Sequence, residues 1–268
     1  MSIKKIKRAY NIFGHERGVI IKKVSKFLIF AMVMFTIFFT STYITSYASG
    51  WGFRRNNDHQ VPEIGKYQQE ISGTDSFYVG PDEKSVYLTF DAGYDNGILP
   101  KILDILKEKK IKASFFITGD FVKRFPELTK RIVDEGHLAC NHSYSHKKIS
   151  TLSLSDLEKD LTKLEDEFYN LTKMVKYFRP PEGEFSRASL LNVKSLGFKT
   201  IFWSIAYKDW DTKNQNGVDY CVKTIMDNLH NGAIILMHSV SSSNQEALPT
   251  VIEKITQEGY TFKTVNEL

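Results

Sequence analysis

The chain has 268 residues, 42% of them hydrophobic and 13% aromatic, which is enough to bury a sizeable core and excludes a disordered protein. Its formal charge of +5 is unevenly spread: residues 1–26 carry basic side chains against Glu16 alone, and the remainder is slightly acidic. That balance gives no ground for nucleic-acid binding, and two cysteines, Cys140 and Cys221, exclude a disulfide scaffold while leaving one pairing open.

The basic segment 1–26 leads into an apolar segment, 27–48, that starts at Phe27 and carries no charge. This is the layout of a signal peptide, with Ser46-Tyr47-Ala48 as a small-residue cleavage site, and equally of a transmembrane anchor. A buried core helix is a poor fit for an apolar run directly behind so basic an N-terminus. The positive-inside bias puts the rest of the chain outside the cytoplasm under either reading. Residues 49–83 are polar and weakly periodic and read as a linker or N-terminal extension ahead of one domain, 84–268.

From residue 84 strand and helix patterns alternate. Val86–Phe90 is an apolar, β-favouring run that ends at Asp91 and turns through Gly93 and Gly97 into a helix from Ile98 to Lys110. Further strands are expected at 113–117, 137–140, 177–179, 199–203, 233–237 and 260–264. The helices between them begin at Pro126, after Ser155 and Ser186 as caps, at Val218 and at Glu246. About seven such units predict an α/β fold with a parallel sheet or barrel.

Polar side chains fall just after these strands. Asp91 follows the first and reads either as a helix cap or as a catalytic carboxylate. His142 and His146 follow the third, four residues apart, a spacing that lets two imidazoles share one metal ion. Arg179 follows the fourth, before two prolines; Asp209 and Trp210 follow the fifth; His238 ends the sixth. In a barrel all of these converge on the C-terminal face, where they make a hydrolytic site.

Thr89-Phe90-Asp91-Ala92-Gly93, His142-Ser143-Tyr144-Ser145-His146, Arg179-Pro180-Pro181, Trp203-Ser204 through Asp209-Trp210, and Leu236-Met237-His238 resemble, in order, the five motifs of the NodB-type polysaccharide deacetylases, carbohydrate esterase family 4. The resemblance runs from about Val86 to the C-terminus and implies a distorted, TIM-like (β/α)7 barrel. It implies Asp91 as the base, His238 as the acid, Arg179 and Asp209 as their partners, and His142 and His146 as ligands of one divalent metal ion, by family habit zinc. Trp210, Leu236, Tyr144 and Pro180 match substrate-contacting positions. Asp91 through Gly97, Arg179 through Ser186, and His238-Ser239-Val240-Ser241 with Asn244 further resemble the sporulation deacetylases that act on N-acetylmuramic acid. These work on peptidoglycan downstream of a muramoyl amidase, on the route to muramic δ-lactam in spore cortex.

One departure weakens the implied metal site. Ala92 stands where the family usually has an Asp ligand, one that the sporulation group characteristically lacks, and Ala206 replaces another frequent Asp. Asp95 is the expected substitute, directly or through water. A monomer is expected, held at the membrane by its N-terminal segment. The rival readings are an N-acetylglucosamine deacetylase of vegetative wall or chitooligosaccharide, and a catalytically silent wall-glycan-binding protein.

Overall fold

The structure is a computed structural model that describes residues 47–169 and 174–268. The basic segment and the apolar segment up to residue 46, read above as signal peptide or anchor, lie outside the described residues. Among the described residues no helix is long and apolar enough to cross a membrane.

Two short strands and a helix, β1 (Ser49–Gly50), α1 (Tyr67–Ile71) and β2 (Ser76–Phe77), precede the first long strand, β3 (Ser85–Ala92). Then follow α2 (Leu99–Glu108), β4 (Ser114–Ile117), α3 (Gly119–Arg124), α4 (Pro126–Asp134), β5 (Leu138–Asn141) and α5 (Leu154–Tyr169). The chain continues through β6 (Tyr177–Phe178), β7 (Glu184–Phe185), α6 (Arg187–Ser195), β8 (Lys199–Ile201), α7 (Val218–Asp227), β9 (Ala233–His238), α8 (Ser242–Gln257) and β10 (Thr261–Lys263). All seven strands expected from residue 84 onward are present, shifted by a residue or two at their ends.

The main sheet is parallel, in the order β10-β3-β4-β5-β6-β8-β2, with β9 on the other edge of β3. Leaving β8, the chain reaches β9: the Ser204 amide donates to the Ile234 carbonyl at 3.0 Å and the Leu236 amide to the Ile205 carbonyl at 2.9 Å. This contact curls the sheet into the distorted (β/α)7 barrel that the motif order implies. Side chains alternate across β3, so Val86, Leu88, Phe90 and Ala92 join the apolar layer between sheet and helices. Tyr87 faces inward with Phe116, Cys140, Ile201 and Ile234, filling the barrel below the functional rim. Cys140 and Cys221 are both buried and free.

Two local expectations are corrected. The cap of α5 is Ser153, not Ser155: its hydroxyl accepts the Asp156 amide at 3.1 Å while the Asp156 carboxylate accepts the hydroxyl proton at 2.7 Å. Ser241 caps α8, accepting the Asn244 amide at 3.1 Å, so this helix starts four residues before Glu246. A run of three serines carries no apolar period, and periodicity alone therefore starts the helix late.

Residues 47–83 are built into the same compact unit as the barrel. β2 adds to the edge of β8, and β1 pairs antiparallel with β7. Trp51 stacks on Phe202 with ring centroids 4.3 Å apart, and its indole N–H donates to the Trp203 carbonyl at 2.9 Å. Gly183 lies beneath these rings at φ 65°, where an added Cβ would come within 2.8 Å of Trp203 and 3.1 Å of Trp51. The extension thus wedges the Arg179–Phe185 turn against β8. Truncating Trp51 to Ala is expected to destabilise the domain by about 3–5 kcal/mol in urea titration, whereas a passive linker would leave the midpoint unmoved.

Candidate active site

Asp91 lies at the rim because β3 runs two residues further than its apolar stretch, which keeps Asp91 in register with His238 at the end of β9. Both side chains face the barrel interior. Arg179, with no exposed surface, is directed at Asp91 from the end of β6: its Nη1 donates to Asp91 Oδ1 at 2.7 Å. The other guanidinium donors are occupied, Nη2 by the Thr89 hydroxyl at 3.0 Å and Nε by the Ile201 carbonyl at 3.1 Å. The plane also covers the Phe116 ring at 4.0 Å. Burial by itself raises the Asp91 pKa, but the charges of Arg179, His142 and His238 outweigh it, and the carboxyl ends below its ordinary value. Asp91 is therefore a buried carboxylate held ionised, not a helix cap.

The cap is Asp95. Its two oxygens accept the Gly97 amide at 3.0 Å and the Leu99 amide at 3.1 Å, opening α2. This corrects its expected role as a metal ligand: a carboxylate committed to two backbone donors is not turned toward the histidines. Among the described residues no group of three or more His, Cys, Asp or Glu side chains is placed to hold a metal.

The two histidines are brought together, with ring centroids 5.0 Å apart at 78°. Nδ1 of His142 lies 2.9 Å from the Arg179 carbonyl, which can only accept, so Nδ1 carries the proton and Nε2 keeps its lone pair. That lone pair faces Asp91 Oδ2 at 3.5 Å. Burial, ahead of the nearby charges, pushes the His142 pKa down to about 4, so the ring is neutral near pH 7. A fixed tautomer with a free Nε2, beside a second imidazole and an ionised carboxylate, fits a divalent cation bound through two nitrogens.

The loop carrying these rings takes an unusual path. Ser143 has φ 70° and His146 φ 53°, left-handed values that cost a non-glycine residue roughly 1–2 kcal/mol each. Asp160 on α5 holds the loop. Its Oδ2 accepts the Ser143 hydroxyl at 2.7 Å and the Tyr144 amide at 2.9 Å, and its Oδ1 accepts the Ser145 amide at 3.1 Å and the Ser145 hydroxyl. The Tyr144 ring is turned to the helix side, packing on Gly119 and lying 4.1 Å from Lys163 and 5.3 Å from Lys123.

The second dyad is His238 and Asp209. Nδ1 of His238 bonds Asp209 Oδ1 at 2.6 Å, and the His238 amide donates to Asp209 Oδ2 at 2.8 Å. Burial lowers the His238 pKa, but the hydrogen bond and charge of Asp209, together with Asp91, outweigh it and raise the value above 6.5. Asn244, fully buried on α8, donates to Asp209 Oδ2 at 2.5 Å and accepts the Tyr207 hydroxyl at 2.8 Å. Trp210 is half exposed, its ring 5.7 Å from that of His238. Leu236 is buried one alternation below His238 on β9, and Pro180 is buried at the turn after Arg179.

Asp160, Asn244 and Tyr207 have site contacts that sequence patterns did not assign. Asp160 occupies an ordinary polar position of an amphipathic helix, eighteen residues beyond His142, and only the fold closes that gap.

A carboxylate held below its ordinary pKa and an imidazole held above its own, in register on neighbouring parallel strands, make the pairing expected of an α/β-barrel hydrolase. Residues 79–201 match the polysaccharide deacetylase family model. The chain is 43% identical over 222 residues to the peptidoglycan-N-acetylmuramic acid deacetylase PdaA of Bacillus subtilis, covering 81% of this chain and 84% of that protein. A solved structure of Bacillus subtilis PdaA, a family 4 carbohydrate esterase, superposes with a TM-score of 0.80 at 43% identity over 82% of this chain and 96% of that one. A peptidoglycan-N-acetylglucosamine deacetylase of Bacillus cereus is 33% identical over 202 residues, 74% of this chain and 94% of that protein.

The chain belongs to the polysaccharide deacetylases of carbohydrate esterase family 4. It is a hydrolase of carbon–nitrogen bonds, and enzymes of this family are metal-dependent.

Replacing Arg179 by Met should strand a buried, unpaired Asp91 charge. The expected loss is about 3–5 kcal/mol of folding stability at pH 7, measured by urea denaturation. Asp91→Asn in the same background should recover part of it.

Proposed function

We propose that this protein removes the acetyl group from N-acetylmuramic acid residues of peptidoglycan already stripped of stem peptide, on the route to muramic δ-lactam in spore cortex. The observation that carries the reading is the register of Asp91 with His238, one held ionised by Arg179 and the other raised in pKa by Asp209. The identity to the muramic acid deacetylase of Bacillus subtilis over most of both chains supports the choice of sugar.

Arg179 occupies Oδ1 of Asp91 and leaves Oδ2 to accept a proton from the water that attacks the acetyl carbon. His238, steered by Asp209 at Nδ1, donates a proton from Nε2 to the sugar nitrogen as the carbon–nitrogen bond breaks, so acetate and a free amine leave. Trp210 offers a flat apolar surface beside that histidine, and Leu236 and Pro180 close the floor of the site. His142 and His146 would hold the divalent cation, by family habit zinc, which when bound polarises the acetyl oxygen and acidifies water. Ala92 would offer that ion no carboxylate, so the protein's share of the binding would rest on the two imidazoles.

In this reading the enzyme works outside the cytoplasm as a monomer, anchored or exported through residues 27–48, and downstream of a muramoyl amidase that exposes its substrate. The identity to the Bacillus cereus enzyme favours a second reading, deacetylation of N-acetylglucosamine. The intact Asp91–Arg179 and His238–Asp209 pairs weigh against a silent glycan-binding protein.

Incubated with zinc and peptide-stripped peptidoglycan, the protein should release acetate. Mass spectrometry of the digested glycan should find the deacetylated residue to be muramic acid; a deacetylated glucosamine would establish the second reading, and no acetate from either sugar would contradict both. Asp91→Asn and His238→Ala should each lower kcat by roughly 10²–10⁴-fold.

The alkaline side of the pH profile follows from the shift at His238: its pKa is raised from 6.5 by Asp209, so activity should fall at a pH above that value as His238 loses its proton. Asp209→Asn removes the carboxylate that outweighs burial at His238, so the alkaline limb should move to lower pH. An unmoved limb would assign it to another group.

A further inference from the structure

We propose that Asp160 is a positioning residue for cation binding: its carboxylate on α5 sets the place of His146 and through it the spacing of the two imidazoles. This rests on the cation-assisted reading above. The two histidines are anchored by different means. His142 is fixed by the barrel, its amide donating to the Ile117 carbonyl at 3.0 Å and its Nδ1 to the Arg179 carbonyl at 2.9 Å. The exposed His146 ring has no hydrogen-bond or ion-pair partner among the described residues, and only its backbone is held. The His146 amide donates to the Ser143 hydroxyl at 2.9 Å, and that hydroxyl donates to Asp160 Oδ2 at 2.7 Å. The relay therefore runs from Asp160 through Ser143 to His146.

The rest of the Asp160 carboxylate serves the same loop. Four donors from three consecutive residues converge on its two oxygens, two of them backbone amides that cannot reverse their polarity. Ionised acceptors bind such donors more strongly than neutral ones. That strength matches the need, since Ser143 and His146 both sit at positive φ without being glycine. A loop relieved of Asp160 would relax toward right-handed backbone and turn the His146 ring away from His142. Asp91, Arg179, Asp209 and His238 touch none of these atoms.

Asp160→Asn is the informative variant. It keeps the size of the side chain but sets an NH2 group against one of the two backbone amides, whichever way the amide is turned. Ser143→Ala interrupts the relay without altering α5, so it reads the same link if the helix variant folds poorly. Zinc affinity is measured by isothermal titration calorimetry on the full chain, with the melting temperature recorded for each variant.

Both variants are expected to bind zinc roughly 10–100-fold more weakly than the parent, the range for groups that orient metal-ligating histidines. Acetate release should fall at limiting zinc and return toward the parent kcat at saturating zinc, with the pH profile unchanged. Zinc affinity within twofold of the parent in both variants, whatever their melting temperatures, would overturn the proposal and leave Asp160 a structural clip. A parent that binds no zinc would overturn it too. Acetate release by that same parent decides separately whether the deacetylase reading stands.

Discussion

The structure depends on one buried cation. Arg179 is fully enclosed at the end of β6, where its guanidinium ionises Asp91 and its own carbonyl fixes the tautomer of His142. Taking a guanidinium out of water costs several kcal/mol, about as much as the ion pair returns, so the arrangement persists only if the remaining donors are satisfied. Thr89 from β3 and the carbonyls of Ile201 and Phe202 at the end of β8 complete the set. Three strand ends must therefore meet at one point before Asp91 is held as a carboxylate, so barrel closure and the ionisation of Asp91 are one requirement.

The residues that brace this point come from far along the chain. Trp51 and β2 support β8 from outside, while the turn through Pro180 and Gly183 is packed beneath Trp51 and Trp203. On the opposite side of the rim, the buried Tyr207–Asn244–Asp209 chain orients His238. Asp91 is thus held by a charge and His238 by a hydrogen-bonded relay. Charge opposes the burial that would otherwise neutralise each group, lowering Asp91 and raising His238.

Much of this was legible in the sequence because strands and their C-terminal ends are local signals. Val86–Phe90 announces a buried strand, so Asp91 must stand at its end; the same holds for His238 behind Ala233–Met237. Motif order then supplied the partners. What escaped were contacts whose meaning is set only in three dimensions. Asp95 and Asp91 are both carboxylates in one loop region, and nothing in their order says that the former caps α2 while the latter faces Arg179. Tyr144 lies between two histidines in sequence, yet the left-handed backbone at Ser143 turns its ring to the helix side. Residues 49–83 have too little periodicity to reveal that they complete the sheet, because a two-residue strand such as β2 is specified by its partner rather than by itself.

The central claim is that Arg179 holds Asp91 ionised despite its burial, and direct titration of the Asp91 carboxyl by ¹³C NMR tests it most directly. The account predicts a titration below the ordinary carboxylate value of 3.8 in the folded protein. An Asp91 carboxyl that takes up its proton above that value would contradict it, because burial rather than Arg179 would then govern the base.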